Sequence, residues 1–358
     1  MNKYAKVGLS ALCGSLACIA SANAGALDVS GTAEATWTQK AGSTTGNPLG
    51  MNTGLTFKGS GELDGGQTFS VTMAHTDKAT WSSSNITLTT NSLGTFKLSS
   101  AEGGAGIGGY DDIAPTAWEE TWDGVATNSN FQKGVGSSTN VSWTTPVMSG
   151  VKFQIAHAPD NDGAQNTNKG VSGEASAAFG AGTDIVLDMN PQWDSWGFNL
   201  FLGGSRTELA KQRTGEDFSG DHEEAVVGLI VNMGPLEIGG QISAERRRAI
   251  ALNTPDYYAN TSWGVAFNVN DDLSVSYGEH RSMQANTHKQ NMSHSDDAYQ
   301  TINEYTPKST MMGHSLQVAY TIGGVGLKYS DTEYDNTAYT FDNKVAKDAK
   351  ILAVTLAF

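Results

Sequence analysis

Residues 349–358 read AKILAVTLAF. Leu352, Val354, Leu356 and Phe358 take alternate positions, and the small residues Ala353, Thr355 and Ala357 lie between them. Strict alternation makes this a β-strand with one apolar face and one small or polar face. Chain ends are usually polar and frayed. A large aromatic at the edge of a strand implies that this strand is paired and held.

The opposite end supplies the context. MNKYAKVGLSALCGSLACIASANAG begins with Lys3 and Lys6, continues through a mostly apolar run from Val7 to Ala20, and reaches Ala22-Asn23-Ala24. A basic start, a short apolar core and a small-x-small site define a secretory signal peptide over residues 1–24, cut after Ala24. Lipid attachment is the rival reading, but Cys13 and Cys18 lie in poor contexts for it. Both cysteines fall in this segment, so the mature chain, residues 25–358, has no disulfides.

No later apolar run approaches the ~20 residues of a membrane helix. Composition nevertheless departs from that of a helical soluble protein. There are 42 glycines in 358 residues, well above the usual ~7%, and helix-forming stretches are missing. The formal charge is −15. Removing Lys3 and Lys6 makes the mature chain more acidic still, which argues against nucleic acid as a partner.

From Leu27 onward the alternation recurs. Leu27, Val29, Gly31, Ala33, Ala35 and Trp37 alternate with polar residues, and so do Leu55 and Phe57, Phe69, Val71 and Met73, Ile86 and Leu88, and many later sets. A β-sandwich would alternate too. The links between strands decide against it. Short links (NSLG, TPVMSG, MGP, NDD, GGV) take turns with long ones, the longest being 101–137. That is the signature of an up-and-down transmembrane barrel with short turns on one rim and long loops on the other. Strict turn-and-loop parity gives sixteen antiparallel strands, at 27–40, 49–60, 66–77, 84–91, 94–100, 138–145, 150–158, 183–191, 196–207, 223–233, 235–247, 261–270, 272–283, 314–322, 325–334 and 349–358. Residues 171–182 are read as a rim extension of the fourth loop. In lipid a sheet must close on itself to pair its backbone. The last strand therefore pairs with the first, and Phe358 sits at an aromatic girdle.

The signal peptide, the mature chain without cysteine, the terminal Phe358 and NSLGTFKLSSAEGG together resemble Gram-negative general porins. In that family a short turn with a Leu-Gly or Phe-Gly step joins strands four and five, and a long loop then folds inward. Here Asn91-Ser92-Leu93-Gly94 matches the step and residues 101–137 match the loop. The resemblance implies sixteen strands, a homotrimer in the outer membrane, and passive diffusion of small hydrophilic solutes. It also implies that assembly depends on Phe358. Small outward residues on the first strand, Gly31, Ala33 and Ala35, suggest where a neighbouring subunit packs.

Six carboxylates lie on the long loop: Glu102, Asp111, Asp112, Glu119, Glu120 and Asp123. Lys58, Lys97 and Lys152 fall on the inward phase of strands two, five and seven. In the resembling porins loop acids face a basic wall ladder, often of arginines, across the narrowest section. With six acids against three lysines the local sum is negative, so a mild cation preference is expected. Small inward residues, among them Ser274, Ser276, Gly278, Ala353 and Thr355, suggest an open lumen.

Gly104, Gly106 and Gly109 match a dinucleotide fingerprint, but no βαβ unit follows, so they read as a sharp turn into the barrel. Arg246 and Arg248 point outward at the rim, where lipopolysaccharide phosphates are candidate partners, and Arg247 points inward. Asp160 and Asp162 in DNDG suggest the start of a calcium loop without its later ligands; no other cofactor is expected. His288, Met292 and His294 are read as solvated loop residues. A structural or adhesin-type barrel is the alternative function. A barrel enzyme built on His157, His222 or His280 is the less favoured one, and no catalytic residue is assigned.

Overall fold

A computed structural model describes residues 25–41, 46–77, 82–161, 179–193, 196–209, 220–248, 254–286, 308–340 and 344–358. The expected signal peptide, residues 1–24, lies outside them. Sixteen strands follow one another: β1 Ala26–Ala41, β2 Leu49–Glu62, β3 Thr68–Thr76, β4 Ser83–Thr90, β5 Gly94–Ser100, β6 Asn140–Thr144, β7 Val151–Ala158, β8 Phe179–Met189, β9 Trp196–Leu209, β10 His222–Met233, β11 Leu236–Arg246, β12 Pro255–Asn268, β13 Leu273–Asn286, β14 Lys308–Ile322, β15 Val325–Asp335 and β16 Lys347–Ala357. The pair Gln192–Trp193 adds two residues beside the start of β9. Every strand pairs antiparallel with its neighbours, and β16 pairs with β1 from Thr32↔Ala357 to Ala41↔Asp348. The barrel is closed, which leaves no sheet edge unpaired in lipid. No helix among the described residues is long and apolar enough to cross a membrane. The strands are the spanning elements.

The alternation resolves into two faces. On β16 Leu352, Val354 and Leu356 are exposed on the outside, whereas Ile351 and Ala353 are buried inside. Phe358 continues the pairing beyond β16: its N–H donates to Gly31 O at 2.9 Å, and Gly31 N–H donates to Phe358 O at 2.8 Å. Its ring lies over Gly31, where an added Cβ would meet ring carbons at 2.5 and 2.6 Å. This corrects one expectation for β1. Gly31 is buried beneath its own chain's Phe358 and is not free to receive a neighbouring subunit; Ala33 and Ala35 remain on the outward phase.

Several strands run farther toward the long-loop rim than the alternation suggested. β12 starts at Pro255 and β14 at Lys308, and β13 continues to Asn286. On β14 the outward Lys308 and Thr310 are polar, and on β12 the inward Tyr258 is as aromatic as the outward Tyr257, so the contrast between faces fades while the hydrogen-bond ladder between neighbours continues. Phe179–Gly182, the described end of the segment 171–182, extends β8 and pairs with β9, with a register shift near Leu209.

Candidate functional site

Residues 101–137 leave the outer end of β5 and enter the barrel. The entry is built from residues with positive φ: Ala101, Gly103, Gly104 and Gly106. Gly106 also passes so close to β8 that an added Cβ would stand 2.1 Å from Asp184 Oδ2. The glycine-rich fingerprint is thus a turn, followed by a single 3-10 segment, Gly106–Tyr110.

Inside, the loop has no sheet to pair with, yet its buried backbone groups need partners. Inward side chains of the wall supply them in strand order. Gln154 on β7 accepts from Gly106 N–H at 3.1 Å. Asp184 on β8 accepts from Ile107 N–H at 3.1 Å and from Val135 N–H. Glu224 on β10 accepts from the N–H groups of Lys133 and Gly134, both at 2.8 Å. Gln241 on β11 accepts from Ile113 N–H at 2.8 Å and donates to the carbonyls of Tyr110 and Asp111. Asn260 on β12 donates to Asn130 O, and Ser276 on β13 accepts from Ala117 N–H. Gln317 on β14 accepts from Trp118 and Glu119 N–H and donates to the carbonyls of Glu119 and Glu120.

Small residues make the approach possible. An added Cβ on Gly264 would stand 2.2 Å from Pro115 O, and one on Gly278 would stand 2.7 Å from Thr121 Oγ1. Ser276 and Ala353 are buried. Smallness on the inward phase was expected to mean an open lumen; at these positions it seats the loop. Opposite, Trp122 and Phe131 stack at 4.4 Å between centroids and close over His280. The loop therefore covers the inner wall from β7 round to β16, and the inward residues of β1 to β5 face the remaining lumen.

The loop carboxylates lie on or near the surface that borders this lumen. Asp112 is exposed; Asp111, Glu119, Glu120 and Asp123 are half-buried. Asp112 lies close to both Asp111 and Glu120 and raises the pKa of both. Burial first, and then the charge of Asp112, push Asp111 up to about 6. Burial pushes Glu119 up to about 7, helped by Asp123 and Glu34 and opposed by Lys328. Glu120 rises to about 7, again chiefly through burial, and Asp123 is raised for the same reason. Near neutral pH this cluster holds some of its protons.

The six carboxylates do not act as one set. Glu102 belongs to the loop's root. Its Oε1 is 2.6 Å from Lys97 Nζ and accepts from Asn85 at 3.1 Å. The three lysines also part company. Lys58 on β2 is exposed toward the lumen, in register with Asp28. Lys97 is held by Glu102. Lys152 is 3.0 Å from Asp188 Oδ2, which also accepts from Tyr110 OH at 2.9 Å. Lys152 thus lies behind the loop and does not face its acids across the pore. The reason is topological: β7 and β8 form the stretch of wall on which the loop first lands.

Residues beside the loop that the sequence reading passed over include Glu34 on β1 and Lys328 on β15. Lys328 Nζ is 3.6 Å from Glu34 Oε2 and 5.4 Å from the centre of the Trp118 ring. Their signal was inward phase, between Ala33 and Ala35 and between Leu327 and Tyr329. At the rim, Arg247 points inward to Glu245 and Tyr258, as expected, and Arg248 is 2.6 Å from Glu223 on the outer side. His157 bonds Thr183, and His280 is buried against Tyr334. Of the calcium candidates, Asp162 lies outside the described residues; between it and Asp160, Asn161 donates to Gly134 O and Thr207 Oγ1. His288, Met292 and His294 also lie outside the described residues.

A family model described as Gram-negative porin matches residues 8–306. No curated relative matches the sequence. Solved structures similar to this chain include the anion-selective porin of Comamonas acidovorans, with a TM-score of 0.62 at 14% identity, covering 93% of this chain and 100% of that one. OprB of Pseudomonas putida gives 0.61 at 10% identity, covering 93% and 94%. OmpF of Salmonella typhi in complex with daunomycin gives 0.59 at 12%, covering 94% and 98%. At these identities the likeness is one of fold.

Proposed function

The chain belongs to the Gram-negative porin family and forms a channel barrel in the outer membrane, and from that premise we propose that it is a homotrimeric, water-filled pore for small hydrophilic solutes with a mild preference for cations. One observation carries the cation preference. Asp111, Asp112, Glu119, Glu120 and Asp123 cluster on the loop, while Lys97 and Lys152 are already matched by Glu102 and Asp188. Lys58 and Lys328 remain on the wall, Glu34 offsets Lys328, and the loop's own exposed Lys133 and Lys40 of β1 oppose Asp111 and Asp123, which leaves the five acids in modest excess. The balance beside the loop is therefore negative. It is also moderate, because Glu119 and Glu120 hold protons up to about pH 7. A wide aqueous pore further weakens each charge.

An anion-selective porin with this fold exists, so barrel shape does not decide the sign. The local charges do. Passage rather than catalysis is the proposed role. For the trimer, Ala33 and Ala35 on the outward phase of β1 support a contact between subunits. Ala33→Trp should release monomers in mild detergent electrophoresis, and an unchanged oligomer band would count against this contact. Outer-membrane lipid, including lipopolysaccharide, is the proposed surrounding partner. Liposome swelling with neutral sugars of increasing size tests the pore itself. Uptake should fall steeply with size; no uptake of any sugar would refute it.

A further inference from the structure

Outside the loop's acidic face, one cluster of ligand-type side chains stands apart. His222 and Glu224 are alternate residues at the outer end of β10, both on the inward phase, and Glu245 is on β11. The register sets Glu224 directly opposite Glu245. Both are buried. Two like charges facing each other across a strand pair are destabilising unless something positive lies between them. One donor atom from each of the three residues lies within 4.8 Å of the others.

The existing partners cover part of this need. Glu224 takes the backbone N–H groups of Lys133 and Gly134. Arg247 Nε donates to Glu245 Oε1 at 2.8 Å, so one guanidinium faces two carboxylates. Asp184, which takes the neighbouring Val135 N–H, adds a third negative group nearby. His222 Nε2 stands 3.0 Å from Glu245 Oε1 and pairs with it. One buried atom is left over: Glu245 Oε2 makes no hydrogen bond. Glu245 is only 3% exposed, so water does not readily serve it.

We propose that His222, Glu224 and Glu245 form a binding site for a divalent d-block cation, with zinc as the best fit. An imidazole beside two carboxylates suits zinc. Calcium would require six or more oxygen ligands, which the site lacks. With metal–ligand bonds of about 2.0–2.2 Å, tetrahedral ligand atoms lie about 3.4 Å apart. From within 4.8 Å, side-chain rotation alone closes that gap. Three protein ligands leave a fourth position for water or a passing solute. Through Glu224 the ion would also brace Lys133 and Gly134, where the loop returns to the wall.

The competing counter-charge is a proton on His222. To separate the two, zinc chloride is titrated into the folded, detergent-solubilised full-length barrel by calorimetry. Heat-modifiable migration reports folding of each variant. One ion should bind per chain. His222→Ala and Glu245→Gln should each weaken binding at least about tenfold, since even outer-shell partners contribute ~10–100-fold. His314→Ala, on the outward face, should leave binding unchanged. Binding undiminished in both site variants, or no saturable binding by the wild type, would overturn the proposal. Cobalt(II) on the wild type gives a reading independent of any variant. An intensified visible spectrum of a four- or five-coordinate ion is expected; the weak spectrum of the hydrated ion would overturn it.

Discussion

The inner wall has two halves that read alike as sequence and behave differently in the fold. From β7 to β16 its polar side chains are turned into backbone partners for the loop. Gln241 and Gln317 each donate and accept, as a neighbouring strand would. From β1 to β5 the same inward phase meets the lumen: Lys58 is exposed, and Thr56 and Thr72 are half-exposed. One half fixes the position of the loop, and the other faces the charges that the loop presents. Inward polarity in a barrel is therefore not by itself a sign of pore lining.

The sharpest way to break this comparison is to remove the amide partners. Gln241→Leu with Gln317→Leu strips hydrogen bonds from Tyr110, Asp111, Ile113, Trp118, Glu119 and Glu120. Leaving a buried backbone group unpaired costs about 1–3 kcal/mol, so the loop's docking should weaken by several kcal/mol. Limited proteolysis should then cut within 101–137 while the barrel keeps its heat-modifiable band. On the other half, Thr56→Val and Thr72→Val should alter stability by no more than about 0.5 kcal/mol each. Equal sensitivity of both halves would erase the distinction.

The lysines sharpen it in a second way. Lys152→Gln leaves Asp188 behind the loop with its charge uncompensated, and should cost about 2 kcal/mol or more in thermal unfolding. Lys97→Gln frees Glu102 to face the lumen. It should cost less than about 1 kcal/mol and raise the cation preference measured by reversal potential. The reverse assignment, with Lys152 governing selectivity and Lys97 stability, would contradict the geometry.

A smaller effect concerns pH. Glu119 and Glu120 are raised from 4.5 to about 7 in the docked loop, so docking binds their protons more tightly. Its contribution to stability is complete below about pH 4.5 and is lost as pH rises through about 7. Protease cleavage of the loop should therefore be slower at pH 5 than at pH 8, after correction for the protease's own pH dependence. Glu119→Gln with Glu120→Gln should flatten the difference, and an unaltered profile would mean that these two groups do not govern it.

Much of the barrel was legible because hydrocarbon imposes period two on each strand. AKILAVTLAF on β16 shows it plainly, and the parity of short turns and long loops then gave the count of sixteen. The strand ends of PDYYAN and KSTMMG were missed because the contrast between faces fades there: adjacent Tyr257 and Tyr258 fall on opposite faces, and Lys308 and Thr310 turn outward. The loop's acids were legible as a run. Their separation into Glu102 at the root and five on the face was not, because it depends on Lys97 approaching from a strand five residues away. The seating of the loop was least legible. Ser276 or Gln317 looks the same in sequence whether it meets water or a backbone amide. Gly31 was visible as a small outward residue, but its cover, Phe358, comes from the far end of the chain.

The central claim is that the loop carboxylates facing β1 to β5 set the sign of selectivity. Reversal potential of the wild-type channel in a steep KCl gradient, recorded at pH 8 and again at pH 5, tests it most directly. The account predicts a cation-selective sign at pH 8 that shrinks toward zero at pH 5 as Asp111, Glu119 and Glu120 take up protons. An anion-selective sign at pH 8, or a potential that does not move with pH, would contradict it.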